Sequence, residues 1–153
     1  MSYNENVKII AFVGLAGSGK TTAVEYVSTK GFPKVNAGDV EQINNLINAG
    51  QHNIVDDSLL NWSQYKAMKE EFHSTLTLIA VVAPRRLRHH RLAIRPGSPL
   101  PEAEATARDW QEIEEGQISG PIAIAEHFIL NDGSEDELYA KIDSLLGELE
   151  FRL

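Results

Sequence analysis

The order of apolar and polar positions along the chain predicts an alternation of strands and helices. Two continuous β-branched and apolar runs, 7–13 and 76–82, are typical of strands buried on both faces of a sheet. With three shorter runs, the expected strands are 7–13, 32–36, 53–56, 76–82 and 128–130. The expected helices are 20–29, 39–48, 62–72, a segment starting at Pro84, 102–115, 121–126 and 134–149. Strands separated by helices predict a three-layer, doubly wound α/β fold around a parallel five-stranded sheet.

The expected helix 62–72 has a clear apolar stripe. Its large side chains recur three or four positions apart, a spacing that places them on one helical face. We therefore expect Trp62, Tyr65, Met68 and Phe72 to pack in the core rather than to bind a ligand.

Size and composition narrow the class of protein. The 153 residues suffice for one domain, 1–153, with a sizeable core. The sequence has no cysteine, no apolar run near the ~20 residues that span a bilayer, and no basic and apolar leader at its start. A cytoplasmic protein without membrane contact is therefore expected. A formal charge of −8 disfavours a general nucleic-acid binder.

The strongest local signal lies between the first expected strand and the first expected helix. Residues 14–21, GLAGSGKT, match the pattern GxxxxGK[ST], in which glycines let backbone N–H groups approach phosphate oxygens at a helix N-terminus. In such a loop Lys20 reaches the β- and γ-phosphates, and the Thr21 hydroxyl binds Mg²⁺. A plain glycine turn is the alternative, but three glycines and Lys-Thr in register favour a nucleotide. The expected nucleotide-binding residues here are Gly14, Ala16, Gly17, Ser18, Gly19, Lys20, Thr21 and Thr22.

Two aspartates at the ends of expected strands should come to the same sheet edge as the loop. Asp56 ends the run 53–56, where an aspartate can orient Mg²⁺ and its waters, and Asp57 is a weaker candidate for that role. A strand-ending turn is the alternative for both. Asp39 is either a helix cap or a carboxylate that faces the γ-phosphate and accepts a proton from an acceptor hydroxyl.

Five of the seven arginines lie between positions 85 and 95, an unusual concentration in an acidic chain. Arg88, Arg91 and Arg95 are three and four positions apart and share a helix face, which suits the charged oxygens of a transferring phosphoryl group. A solvated helix face is the alternative. His89 and His90 point about 100° apart on a helix, so we expect them at the surface or in packing rather than at a metal.

Taken in order, these segments resemble the P-loop nucleoside and nucleotide kinases. They look most like the dephospho-CoA kinase branch and its adenylate-kinase-like archaeal relatives. The resemblance rests on GLAGSGKTT, Gly38-Asp39, the segment IVDD, the arginine-rich helix and the turn FILNDGS, and it covers nearly the whole chain. It implies a P-loop NTPase fold with a short helical lid, here about 85–116, and a phosphotransferase that uses ATP and Mg²⁺.

The resemblance also implies roles for individual arginines. Arg88 and Arg91 match lid arginines that act over the phosphates, and Arg95 follows this pattern less firmly. Arg108, on the return helix of the lid, matches an arginine that also meets phosphate.

Further roles follow from the same resemblance. Asn131 and Gly133 match a turn that lies against the adenine, and Asp39 matches an acidic residue near the acceptor. The expected catalytic residues are therefore Lys20, Asp39, Arg88 and Arg91, with Thr21 and Asp56 on the metal side. ATP rather than GTP is expected, because no Asn/Thr-Lys-x-Asp segment is present to read guanine.

Two departures from the family pattern concern the acceptor side. The acceptor segment, about 39–52, is reduced to roughly one helix, and no glycine and arginine follow Asp56. The expected function is transfer of the γ-phosphoryl of MgATP to a small nucleotide-like acceptor, either dephospho-CoA or a nucleoside or nucleotide. The alternative is a nucleotide-binding switch or slow ATPase without a small-molecule acceptor.

Overall fold

The computed structural model describes residues 6–36, 38–57 and 60–153, and these residues form five strands, seven α-helices and a short 3₁₀ turn. The strands are β1 Lys8–Val13, β2 Lys34–Asn36, β3 Asn53–Asp57, β4 Leu76–Val82 and β5 His127–Leu130. The helices are α1 Lys20–Thr29, α2 Val40–Asn48, α3 Trp62–Phe72, α4 Arg85–Ile94, α5 Glu102–Glu114, α6 Ser119–Ala123 and α7 Glu135–Glu148. In these parts of the chain, none of the helices is both long and apolar enough to cross a membrane.

The sheet is wound outward from its central strand. All strand pairs in the described residues are parallel, and the order is β2-β3-β1-β4-β5. The chain moves from β1 to β2 and β3 on one side and then to β4 and β5 on the other. The predicted doubly wound parallel α/β fold is confirmed. Ligands in such open sheets bind at the carboxyl ends of the strands where the winding reverses, which here is the end of β1.

Alternate side chains of β1 pack against two different helical layers. Ile10 and Phe12 belong to the core formed with α1 and α7, whereas Ile9 and Ala11 belong to the core formed with α2 and α3. All four are buried. A strand that is covered on both faces must be apolar at every position, which explains the continuous run in the sequence.

The apolar stripe of α3 is confirmed except at its first residue. Met68 and Phe72 are fully buried, and Tyr65 packs against the same core. The expectation for Trp62 was wrong, since this side chain is 36% exposed. Side chains of a helix lean toward its N-terminus, so the indole of the first residue projects beyond the helix, where it packs against Gly120 of α6.

Candidate nucleotide-binding site

The glycine-rich loop, residues 14–19 between β1 and α1, contains two backbone positions that favour glycine. The φ angle is +81° at Gly17 and +103° at Gly19, where L side chains are strained. A Cβ at Gly17 would also lie 2.7 Å from the carbonyl oxygen of Arg88, and one at Gly19 would collide with the amide of Asn131. Glycine at both positions lets the loop pass close to α4 and to the end of β5.

The loop leads into the N-terminus of α1, which fits an anion. Among the described residues no side chain caps this end, and its first turn carries no acidic residue. The first N–H groups of a helix have no intrahelical acceptor, so they are free to donate to phosphate oxygens. The buried Ser18 hydroxyl also lacks a partner among the described residues. The local structure therefore suits the phosphate group that the motif predicts.

An open cleft of about 570 Å³ lies over the loop and the start of α1. Its neutral lining includes Ala16, Gly17, Gly19, Thr21 and Thr22. Its charged lining consists of four cationic side chains and two carboxylates: Lys20, Arg91, Arg95, Arg108, Asp57 and Glu112. In a chain with a net charge of −8, such a concentration of cations favours a polyanionic ligand.

The ammonium group of Lys20 is directed at its own loop. Its Nζ donates a hydrogen bond to the carbonyl oxygen of Gly14 at 2.8 Å. Burial lowers the pKa of Lys20, the Glu112 carboxylate opposes this decrease, and Arg108 adds to it. A bound phosphate would stabilise the charged form of Lys20, because an opposite charge nearby favours ionisation.

The structure corrects the position expected for Arg88, which does not lie over the cleft. Arg88 is 5% exposed, and its guanidinium donates to both carboxylate oxygens of Asp109, at 2.7 and 3.0 Å. Its Nη1 also donates to the carbonyl oxygen of Ala16 at 3.0 Å. A buried guanidinium needs a carboxylate partner, and Asp109 on α5 draws this arginine inward. Arg88 therefore ties α4 to α5 and to the loop.

The other expected lid arginines do reach the cleft. Arg91 donates through Nη2 to the carbonyl oxygen of Asn131 at 2.7 Å and through Nη1 to that of Gly17 at 3.3 Å. Burial lowers the pKa of Arg91. Arg108 of α5 and Arg95, the extended residue directly after α4, line the same cleft. A role of these arginines in phosphoryl transfer stays a prediction.

His89 belongs to a buried ion network that the sequence did not reveal, whereas His90 is exposed. The His89 ring lies between two carboxylates: Nδ1 is 2.9 Å from Oε1 of Glu102, and Nε2 is 2.8 Å from Oδ2 of Asp109. The hydrogen bond to Glu102 raises the pKa of His89, burial opposes this, and Asp109 adds to the increase. Burial would raise the pKa of Asp109, but Arg88 and His89 lower it. This network joins α4 to α5.

The alternation of side chains along β3 decides which aspartate reaches the cleft. Val55 packs in the core on the α1 side, and Ile54 packs in the core on the α2 and α3 side. With a period of two, Asp57 follows Val55 and Asp56 follows Ile54. Asp57 accordingly lines the cleft with Thr21, while Asp56 is fully buried. Asp57, the weaker of the two sequence candidates, is therefore the aspartate that faces the cleft, and a role of either carboxylate toward Mg²⁺ stays a prediction.

Asp56 instead lies inside a small acidic cluster. Its Oδ2 accepts a hydrogen bond from the N–H of Gly38 at 3.1 Å, and its Oδ1 has no partner among the described residues. Burial raises the pKa of Asp56 to about 7, the Gly38 N–H opposes this, and the carboxylates of Asp57 and Asp39 add to it. The carboxyl ends of β2 and β3 therefore form an acidic side of the site.

Asp39 caps α2, which was one of its two expected roles. Its Oδ1 accepts a hydrogen bond from the N–H of Gln42 at 2.9 Å. A cap of this kind satisfies one of the free N–H groups at the helix start. A second role toward an acceptor stays a prediction.

Asn131 supports the glycine-rich loop from the end of β5. The side chain is 7% exposed, and its Nδ2 donates to the carbonyl oxygen of Ser18 at 2.9 Å. Its backbone N–H donates to the carbonyl oxygen of Val82 at 2.7 Å. Gly133 lies exposed in the following turn, before α7. A contact of this turn with adenine stays a prediction.

Glu112 is a site residue that the sequence reasoning missed. It lies on α5 and is 8% exposed, and its Oε1 accepts a hydrogen bond from the N–H of Ala16 at 3.0 Å. A signal for it was available: Ala105, Asp109 and Glu112 recur at intervals of three and four, the spacing of one helix face. When two carboxylates lie on the inner side of a helix that packs against an arginine-rich helix, buried carboxylate–arginine pairs are expected.

The described residues contain no group of three His, Asp or Glu side chains that could hold a metal ion by themselves. Two oxygen donors, Thr21 and Asp57, line the cleft beside Lys20. Mg²⁺ in nucleotide sites commonly takes one or two protein ligands, and substrate phosphates and waters supply the rest. The donor set therefore fits Mg²⁺ carried by a nucleotide.

Fold and loop together define a class: a kinase-like P-loop protein, with a parallel sheet of this order and a glycine-rich loop after the central strand. A sugar kinase from Janibacter sp. HTCC2649 has the same fold, with a TM-score of 0.62 at 17% identity over 95% of each chain. A shikimate kinase from Bacteroides thetaiotaomicron gives 0.62 at 16% identity over 94% of this chain and 98% of that one. A gluconokinase from Sinorhizobium meliloti 1021 gives 0.58 at 16% identity, covering 97% and 98%. Likeness at these identities is a likeness of fold.

In sequence, the chain is similar to UPF0200 proteins, while no family model matches it. The UPF0200 protein of Pyrobaculum aerophilum is 28% identical, over 94% of this chain and 99% of the relative. That of Thermococcus gammatolerans is 26% identical, over 92% and 95%. This name states no activity. The comparisons therefore show a kinase-like fold, while kinase activity and membership of the dephospho-CoA kinase branch stay proposals.

Proposed function

We propose that this protein is a small-molecule kinase that binds MgATP at the glycine-rich loop and transfers the γ-phosphoryl group to a nucleotide-like acceptor. The observation that carries the proposal is the convergence of Lys20, Arg91, Arg95 and Arg108 on one cleft over the uncapped end of α1. Phosphoryl transfer depends on positioning and on stabilising the charge of the moving group, and cations around one cleft provide both.

Different residues of the cleft would hold different parts of the nucleotide. The loop N–H groups and the start of α1 would bind phosphate oxygens, and Lys20 would turn from the Gly14 carbonyl to the phosphates. Thr21 and Asp57 would hold Mg²⁺, which neutralises phosphate charge when bound. Arg91 and Arg108 would face the group in transfer from α4 and α5. Arg88 would act indirectly, by fixing α5 and the loop relative to α4.

The acidic side of the site would receive the acceptor. Asp39, Asp56 and Asp57 gather at the ends of β2 and β3, close enough for the first and last to raise the pKa of Asp56. A carboxylate here can accept the proton that an acceptor hydroxyl loses. Asp39 is the proposed proton acceptor, since it is half-buried and its capping bond to Gln42 fixes the side chain.

The same acidic side favours the second candidate function, a nucleotide-dependent switch or slow ATPase. Acceptors of the nucleotide class carry phosphate, yet this side of the site carries carboxylates, and the segment 39–52 is short. A protein partner in place of a small acceptor would fit this arrangement.

The deciding experiment measures transfer from γ-labelled ATP in the presence of Mg²⁺. The acceptor panel contains dephospho-CoA, nucleoside monophosphates and nucleosides, with shikimate and gluconate added because kinases for them share the fold. We expect one labelled product class in the wild-type protein and none in Lys20→Ala. Phosphate release without any labelled acceptor would instead establish the ATPase or switch.

A further inference from the structure

Ala16 of the glycine-rich loop is held through both of its backbone polar groups. Its carbonyl oxygen accepts from Arg88 of α4 at 3.0 Å, and its N–H donates to Glu112 of α5 at 3.0 Å. The two helices are themselves joined by the Arg88–Asp109 pair. Since Asp109 and Glu112 are one turn apart on the buried face of α5, this pair sets the position of Glu112 at the loop.

The carboxylate of Glu112 lies in surroundings built for a different anion. It is 8% exposed, and a carboxylate this buried needs hydrogen bonds and a neighbouring positive charge. It receives the hydrogen bond from the Ala16 N–H. The positive charge is that of Lys20, which lines the same cleft and whose pKa the Glu112 carboxylate raises against the effect of burial. Loop N–H groups and a lysine are also the groups that bind phosphate in loops of this pattern.

We propose that Glu112 is an internal anion that competes with nucleotide phosphate for the glycine-rich loop and thereby sets the affinity of the site for polyphosphates. This inference rests on the proposed nucleotide-binding function. A phosphate that reaches the Ala16 N–H must displace the Glu112 carboxylate, because two anions cannot share one donor and like charges repel. Lys20 exchanges partners in the same event, leaving the Gly14 carbonyl for the phosphate.

The test compares Glu112→Gln and Glu112→Ala with the wild-type protein. Glu114→Gln is the matched control, since it removes one charge from an exposed position of the same helix. Calorimetry with MgATP, and separately with inorganic pyrophosphate, measures affinity. Both Glu112 variants should bind each ligand about tenfold more tightly, because a charge-assisted hydrogen bond no longer has to be broken. The control should bind like the wild type.

Hydrogen exchange of the peptide that contains Ala16 gives a readout independent of affinity. Without ligand, exchange should be faster in Glu112→Ala than in the wild type, and pyrophosphate should restore protection in both. Circular dichroism confirms folding, and Glu112→Gln carries the test if the alanine variant does not fold.

Two results would overturn the inference. Equal or weaker binding in folded Glu112 variants would make Glu112 a support of the loop, and absence of binding in every chain would remove the competition altogether. Tighter binding without phosphorylation of any acceptor would leave the inference standing and contradict the proposed kinase function. Phosphoryl transfer to an acceptor, with unchanged affinities in the Glu112 variants, would support the proposed kinase function and overturn the inference.

Discussion

The glycine-rich loop and the α4–α5 hairpin, residues 85–114, form opposite walls of one cleft but use charge in different ways. The loop offers backbone N–H groups and Lys20, all from a few consecutive residues. In the hairpin, several charged side chains pair with one another instead of facing the cleft. These are the Arg88–Asp109 pair and the contacts of His89 with Glu102 and Asp109. A short motif thus specifies its own chemistry, whereas long-range pairing decides which charges of a helix remain available to a ligand.

The largest effect should come from breaking the hairpin network. Arg88→Ala should lower the free energy of unfolding by about 3–5 kcal/mol, because Asp109 would stay buried without its main partner. Arg86→Ala, an exposed neighbour, should change it by no more than about 0.5 kcal/mol. Denaturant titration measures both. Equal small effects would mean that Arg88 is not the structural arginine of α4.

The second effect depends on pH and concerns the acidic side of the site, at the carboxyl ends of β2 and β3. The folded-state pKa of Asp56, about 7, exceeds its ordinary value of 3.8. Its contribution to stability is therefore greatest below pH 4 and is lost as the pH rises toward 7. Asp56→Asn removes this loss and should be more stable than the wild type at pH 8, by up to about 4 kcal/mol.

The advantage of Asp56→Asn should shrink toward zero as the pH falls to about 4, and thermal melts across this range check it. A variant that is less stable than the wild type at pH 8 would show that the Asp56 carboxylate is held ionised, contrary to its burial beside Asp39 and Asp57.

The third test separates Arg91, which lines the cleft, from the exposed arginines of α4. Arg91→Ala should lower the rate of phosphoryl transfer by about 100-fold, the usual loss when one donor to transition-state charge is removed. Its effect on ATP affinity should be smaller, since the loop supplies most ground-state contacts. Arg85→Ala, exposed on the same helix, is the control for both constants. A loss of affinity alone would assign Arg91 to binding rather than transfer.

The smallest effect tests His89 within the hairpin. Its pKa is raised by Glu102 and Asp109, so its contribution to stability is complete below its ordinary pKa near 6.5 and is lost as the pH rises through the folded value. The wild type should lose stability as the pH rises through this window, which lies above most of the Asp56 window. His89→Gln should abolish that loss, and exposed His90→Gln should retain it. Identical melts for the two variants would count against the network.

Much of the fold and the loop could be predicted from the sequence, because the signals are local. The bounds of α1, α3 and β4 match the expected ones, and apolar runs with glycine and capping residues explain why. The prediction for Trp62 was wrong because apolar periodicity does not show whether the first residue of a helix is covered by the neighbouring elements.

The parts of the site that escaped prediction depend on contacts between distant residues. Arg88 and Arg91 share a helix face, and only the position of Asp109 on α5 distinguishes them. Asp56 and Asp57 lie on opposite faces of the sheet. Which of them faces the cleft depends on the exact register of β3. Glu112 lies 96 positions from Ala16, so no local pattern could join them.

Phosphate binding by the glycine-rich loop is tested most directly by a calorimetric titration of MgATP into the wild-type protein, Lys20→Ala and the exposed control Lys66→Ala. We propose that the glycine-rich loop binds nucleotide phosphate together with Lys20, the first residue of α1. We predict binding in the wild type and the control, and at least about 100-fold weaker binding in a folded Lys20→Ala protein, because a charged partner of the phosphates is lost. Unchanged affinity in folded Lys20→Ala, or no binding in the wild type, would contradict the claim.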